Sequence, residues 1–193
     1  MNGSPSHAFE TPPRVTTLQH MIYFDISDYA VRVVSNSGSW TEAPITAPHG
    51  FSETKHAQLD VDDAGVITAS YAHTGNNSLI VAPVTGSTPG TATEYTLQHA
   101  SLTGNLVPIT VDPVTGRTYY VYNIGGLGTA TNRYWGTIDA AGSQGTEVEI
   151  PREGLVLGKR TLNVVDGLMS LVTGTDDDGS GNGRIYVRTV VVP

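Results

Sequence analysis

The chain has 193 residues, no cysteine, 22 glycines, 11 prolines and a formal net charge of −8. That is one domain's worth of chain, long enough to bury a core without covalent staples, and the lack of cysteine removes a disulfide framework, a thiol nucleophile and a thiolate zinc site. With 10 basic against 18 acidic side chains, and only Lys55 and Lys159 as lysines, phosphate-backbone binding is excluded as the main task.

The elements follow in chain order. Residues 1–18 read as an N-terminal extension or as a segment that closes a ring, and 19–193 as a single all-β repeat domain. The start, Met1 to His7, has neither the basic nor the apolar region of a secretory signal. Thr, Val, Tyr and Ile dominate the apolar stretches, which favours strands, and Gly, Asn, Asp and Ser separate them as turn residues do. Strands are predicted over 19–26, 29–35, 57–61, 66–72, 78–84, 94–97, 107–111, 118–123, 132–139, 147–150, 161–165, 168–174 and 184–192. The longest apolar run, 79–84, falls far short of the ~20 residues that cross a bilayer, so no membrane insertion is expected.

An internal repeat organises these strands. Leu59–Tyr71, Ile109–Tyr122 and Leu162–Val172 each read as strand, Asp-led turn with glycine, strand. Their acidic anchors Asp62, Asp112 and Asp166 are 50 and 54 residues apart, and a weaker copy around Asp25 precedes them without the glycine. The Asp side chain caps such a turn and the glycine takes the positive φ that a tight hairpin needs. A third strand follows each hairpin and a fourth follows two of them. That is the pattern of a β-propeller-like fold with about four blade-type antiparallel units; a β-sandwich is the alternative.

The alternation of apolar strand, Asp, glycine and apolar strand resembles the blades of sialidase-like propellers that carry Asp-box repeats. The segment Ser35-Asn36-Ser37-Gly38-Ser39-Trp40-Thr41 is similar to a degenerate Asp-box in which Trp40 closes a glycine turn, with Ser37 where the Asp is expected. The resemblance implies a propeller of carbohydrate-related use. Its carboxylate-binding arginine triad has candidates in Arg32, Arg117, Arg133, Arg152, Arg160, Arg184 and Arg188, but no three are singled out, and its nucleophilic tyrosine cannot be placed.

Candidate chemistry is sparse. Asp176, Asp178 and Ser180 occupy positions 1, 3 and 5 of a calcium-type loop. Val187 stands where the bidentate acid belongs and Arg184 opposes a cation, so the competing reading is a solvated hairpin tip. No other cofactor is implied. Tyr120, Tyr122, Arg133, Tyr134 and Trp135 form the candidate ligand-binding set, since Tyr and Trp faces beside a guanidinium suit sugar rings; packing between blades would use the same residues. Alternation sends Tyr120 and Tyr122 to one side of their strand and Tyr119 to the other. His56 and His73 are available for acid–base work. Gly125-Gly126-Leu127-Gly128 opens no helix and is no dinucleotide fingerprint.

The expectation is a non-catalytic propeller-like module for binding or assembly, its partners itself, other chains of an assembly, or a glycan. Its Thr-, Gly- and Tyr-rich, Lys-poor composition suits a structural or receptor-binding part of a phage or other virion appendage, hence a virion or extracellular location. The alternative is a carbohydrate-active enzyme, lyase or glycosidase, whose turnover would depend on His73 and Tyr122.

Overall fold

The computed structural model describes residues 19–25, 30–36, 39–45, 54–73, 77–86, 88–99, 107–124, 132–150, 160–165, 167–174 and 185–192. None of these is helical. The chain divides into two compact units, Met1–Leu97 and Gln98–Pro193.

The first unit carries two antiparallel sheets. The first sheet is β1 (Gln19–Asp25), β2 (Ala30–Asn36) and β3 (Trp40–Pro44), in that order. The second orders β4 (Thr54–Val61), β5 (Ile67–His73), β6 (Ser78–Thr85) and β7 (Thr88–Pro89), with β8 (Thr93–Thr96) also paired to β6. Their shared core joins Ile22, Val31 and Val33 of the first sheet to Ile67, Ala69, Tyr71, Ile80, Ala82 and Val84 of the second. The alternation of Val31 and Val33 with Arg32 and Val34 selects which face of β2 enters that core.

The second unit repeats the plan. The third sheet orders β12 (Val148–Ile150), β11 (Arg133–Ile138), β10 (Thr118–Asn123) and β9 (Ile109–Val111). The fourth is β13 (Arg160–Val165), β14 (Leu168–Gly174) and β15 (Ile185–Val191). Tyr119, Val121, Trp135 and Ile150 of the third sheet pack on Leu162, Val164, Met169 and Leu171 of the fourth.

Each sheet is thus a meander of strands close in sequence, and among the described residues no strand crosses from one sheet to another. A two-sheet sandwich with Greek-key connections would need such crossings. The chain is all-β and propeller-like, with four blade-type antiparallel sheets among the described residues.

The turns obey the repeat. At the second sheet's hairpin, Gly65 has φ of 79° and donates to the Asp62 carbonyl at 3.0 Å, while the Val66 N–H donates to Asp62 Oδ1 at 2.8 Å. Asp112 Oδ1 accepts from the N–H groups of Val114 and Thr115 at 2.9 and 3.2 Å, with Gly116 at φ 68°. A further copy, unexpected from sequence, joins β11 to the segment before β12: Ser143 donates to Asp139 Oδ1 at 2.7 Å, and Gly142 has φ of 87°. Asp166 lies outside the described residues; Gly167 beside it has φ of 71°.

Two strands exceed expectation. The segment read as an Asp-box-like turn runs from the end of β2 into β3, whose Trp40 pairs with Asn36 and is 58% exposed. Thr88–Pro89 adds the two-residue β7.

Candidate functional site

One face of the third sheet carries a ladder of rings. Tyr120 and Tyr122 stand two residues apart on β10 and so share a side. Tyr134 is the register partner of Tyr122 on β11. The Tyr120 and Tyr122 rings lie 6.4 Å apart, Tyr122 and Tyr134 lie 5.8 Å apart, and His99 stacks on Tyr134 at 4.0 Å with an interplanar angle of 12°. Tyr120 is opposite Gly136. Burial grades along the ladder: Tyr120 and Tyr122 are fully buried, Tyr134 is 8% exposed, and His99 is open to solvent.

Behind the rings sits a buried carboxylate, Glu147, 6% exposed. The Tyr120 hydroxyl donates to its Oε1 at 2.9 Å; the Tyr122 hydroxyl and the Gln98 N–H, the latter at 3.0 Å, donate to Oε2. Each hydroxyl is itself an acceptor, Tyr120 from the Gln144 side-chain amide at 2.9 Å and Tyr122 from the His99 N–H at 3.2 Å. Gln98 completes a clamp: its Oε1 accepts from the Glu147 N–H at 3.2 Å and its Nε2 donates to the Gly145 carbonyl at 3.2 Å. Three donors meet the buried charge, which offsets much of the cost of desolvating it. Burial, together with Glu147, pushes both tyrosine hydroxyls well above the usual phenol range, so they stay protonated donors.

The five residues expected to bind ligand divide between two faces. Tyr120, Tyr122 and Tyr134 form the ladder. Trp135 faces the other way, where it stacks with Tyr119 at 6.4 Å and packs in the core; alternation puts Arg133 on that face. Of the candidate arginines with described side chains, Arg32 pairs with Glu42 at 3.1 Å and Arg117 lies beside Asp112 at its hairpin. His73 is buried at the end of β5. The His56 side chain, the 125–128 glycine stretch, and the loop with Asp176, Asp178 and Ser180 lie outside the described residues. Among the described residues no group of three or more His, Asp or Glu side chains is placed to hold a metal.

Gln98, His99, Gln144 and Glu147 were not legible as site residues. Gln98 and Glu147 are 49 residues apart in sequence and meet through main chain as well as side chain, which leaves no local spacing signal.

No protein-family model matches the sequence, and no curated protein matches it. Among solved structures, an exo-1,5-α-L-arabinanase from a bovine ruminal metagenomic library is similar with a TM-score of 0.49 and 10% identity, covering 93% of this chain and 72% of that one. A GH43 endo-arabinanase from Bacillus licheniformis is similar with a TM-score of 0.46 and 11% identity, covering 89% of this chain and 68% of that one.

Proposed function

We propose that the protein is a carbohydrate-binding module whose third sheet carries the ligand site. The observation behind this reading is the exposed His99 ring held parallel to Tyr134. A sugar's C–H face packs on a fixed flat ring, and the exposed carboxylate of Glu149, the register partner of Tyr134, suits its hydroxyls. The clamp around Glu147 fixes the backbone from which His99 projects, so little ordering remains to be done on binding.

Binding is preferred to catalysis because both oxygens of the buried Glu147 carboxylate already accept from Tyr120, Tyr122 and the Gln98 N–H, which leaves it facing away from any ligand on the exposed His99 ring. The virion-appendage expectation finds no support in the fold or the comparisons and is not carried into this reading. Nor does anything favour a sialidase-type site over propeller blades in general.

The test is titration with neutral and acidic oligosaccharides followed by NMR, backed by a glycan array. Binding that is lost in His99→Ala while the melting temperature stays put supports the proposal. Silence of the wild-type protein across both panels overturns it.

A second reading, glycan hydrolysis, has one observation in its favour. Glu149 stands two residues from Glu147 and so shares its face of the strand, which pairs two acids as glycoside hydrolysis requires. One acid is buried and the other exposed. Release of reducing ends that disappears in both Glu147→Gln and Glu149→Gln would replace binding by turnover.

A further inference from the structure

The ladder face of the third sheet has a definite charge character. Tyr122, Tyr134 and Glu149 form one row across β10, β11 and β12, with Glu149 on the edge strand. His99 stacks on the middle member of that row, so its ring and the exposed Glu149 side chain belong to the same face. Register partners have Cβ atoms about 5 Å apart, which brings Glu149 within reach of a sugar ring seated on His99.

The other polar groups nearby are committed. Gln98 gives both ends of its amide to the Glu147 clamp, and the Gln144 amide donates to the Tyr120 hydroxyl. The Glu147 carboxylate lies behind the rings as a second negative charge. Positive charge is directed elsewhere. Arg133 is the register partner of Ile150, which packs in the core on the opposite face, and Arg117 lies beside Asp112 at its hairpin. Among the described residues, the ladder face thus carries two carboxylates and neither lysine nor arginine.

A carboxylate accepts hydrogen bonds and cannot donate them. Glu149 therefore favours a ligand that brings donors. Two adjacent hydroxyls of a neutral sugar supply two O–H donors, and bonds from them to a carboxylate are charge-assisted. A uronic or sialic acid would instead bring a like charge to the same place, against a chain whose net charge is already −8.

We infer, on the carbohydrate-binding reading above, that Glu149 makes the site selective for neutral glycans over acidic ones, accepting from a pair of adjacent hydroxyls and repelling a ligand carboxylate. Such a site is the reverse of the arginine-lined one that the likeness to sialidase blades implies.

The test compares matched ligands on the full chain. Each oligosaccharide that binds is measured beside its counterpart, a neutral one with its primary alcohols oxidised to carboxylates and an acidic one with its carboxylates reduced to alcohols. NMR titrations at pH 8 keep imidazolium out of the comparison, and low salt leaves charge least screened. The neutral member is expected to bind about three- to fivefold more tightly, the size of an exposed charge effect. Glu149→Gln should bring that ratio toward one, with circular dichroism unchanged because the side chain is exposed. Added salt should narrow the ratio in wild type. Equal or tighter binding of the acidic member overturns the inference and leaves the carbohydrate-binding reading standing. So does a preference that persists undiminished in Glu149→Gln, or one that ignores salt. Silence of the wild-type protein with every glycan overturns both.

Discussion

Tyr120 lies across Gly136. The two are register partners on β10 and β11, and a Cβ at Gly136 would stand 2.4 Å from the ring's Cζ and hydroxyl. The glycine here is required by close approach, not by its backbone angle. It lets the ring lie flat over the neighbouring strand and reach Glu147. Gly136→Ala is expected to cost about 1–3 kcal/mol, the range for overpacking a dense interior. Denaturant melts measure it, and the double variant Gly136→Ala/Tyr120→Ala should recover part of the loss, because the clash goes with the ring. A Gly136→Ala protein as stable as wild type would contradict the packing described.

The hydroxyls above Glu147 give the fold an alkaline limit. Burial, with help from Glu147, raises the Tyr120 and Tyr122 ionisations above the usual phenol value, and burial with Glu94 pushes Tyr71 up in the first unit. Folding thus favours the protonated phenols. Their contribution is fully present below the unfolded value near 10 and is lost as pH rises from there toward the folded values. Denaturant midpoints are expected to be flat with respect to these groups from pH 8 to 10 and to fall above it, less steeply in Tyr122→Phe. That variant should also cost about 1–3 kcal/mol at neutral pH, since it deprives Glu147 of a donor and the His99 N–H of its acceptor.

The Asp112 turn sets a limit on the acid side. Burial pushes its carboxyl up, but the N–H groups of Val114 and Thr115, the Thr115 hydroxyl and the Arg117 charge outweigh that and hold it below the usual carboxylate range. A lowered value contributes stability present above the unfolded pKa near 3.9 and lost as pH falls through the folded one. Asp112→Ala is expected to lose about 1 kcal/mol at neutral pH, by analogy with a helix cap, and the gap to wild type should narrow below pH 4. Equal gaps at pH 7 and pH 3 would mean that the charge is not what the turn uses.

The sequence carried the scaffold better than the site. The strands over 118–123 and 168–174 have the bounds expected of them, because β-branched and aromatic runs end on turn residues at both sides. β3 escaped notice because Trp-Thr-Glu-Ala-Pro is polar and ends in proline; among the described residues it pairs with β2 alone, on an edge where a proline is tolerated. Alternation also brought Tyr120 and Tyr122 to one face. What no local pattern announced was the Glu147 clamp, because its partners Gln98, Tyr120 and Tyr122 come from three places along the chain. The likeness to sialidase blades survives only as blade topology. Its tryptophan is an exposed strand residue, and Asp62 and Asp112 are turn caps.

His20 supplies a last prediction, in the first unit. Its Nδ1 lies 2.8 Å from the Ser35 hydroxyl, while its Nε2 is buried with no hydrogen-bond partner. It borders a shallow cavity with Gly65, Val66, Ile67, Val84, Thr85 and Gly86, none of which is charged. Protonation would place an imidazolium in a partly buried site against this uncharged lining, and burial lowers its ionisation from the usual value of 6.5. The unfolded chain binds that proton more readily than the folded one. Stability from this source is therefore present above pH 6.5 and lost as pH falls below it, a window well separated from that of Asp112. In wild type the denaturant midpoint should drop between about pH 6.5 and 5, and in His20→Gln that drop should shrink, since the glutamine cannot charge. An undiminished drop in His20→Gln would assign the window to another histidine.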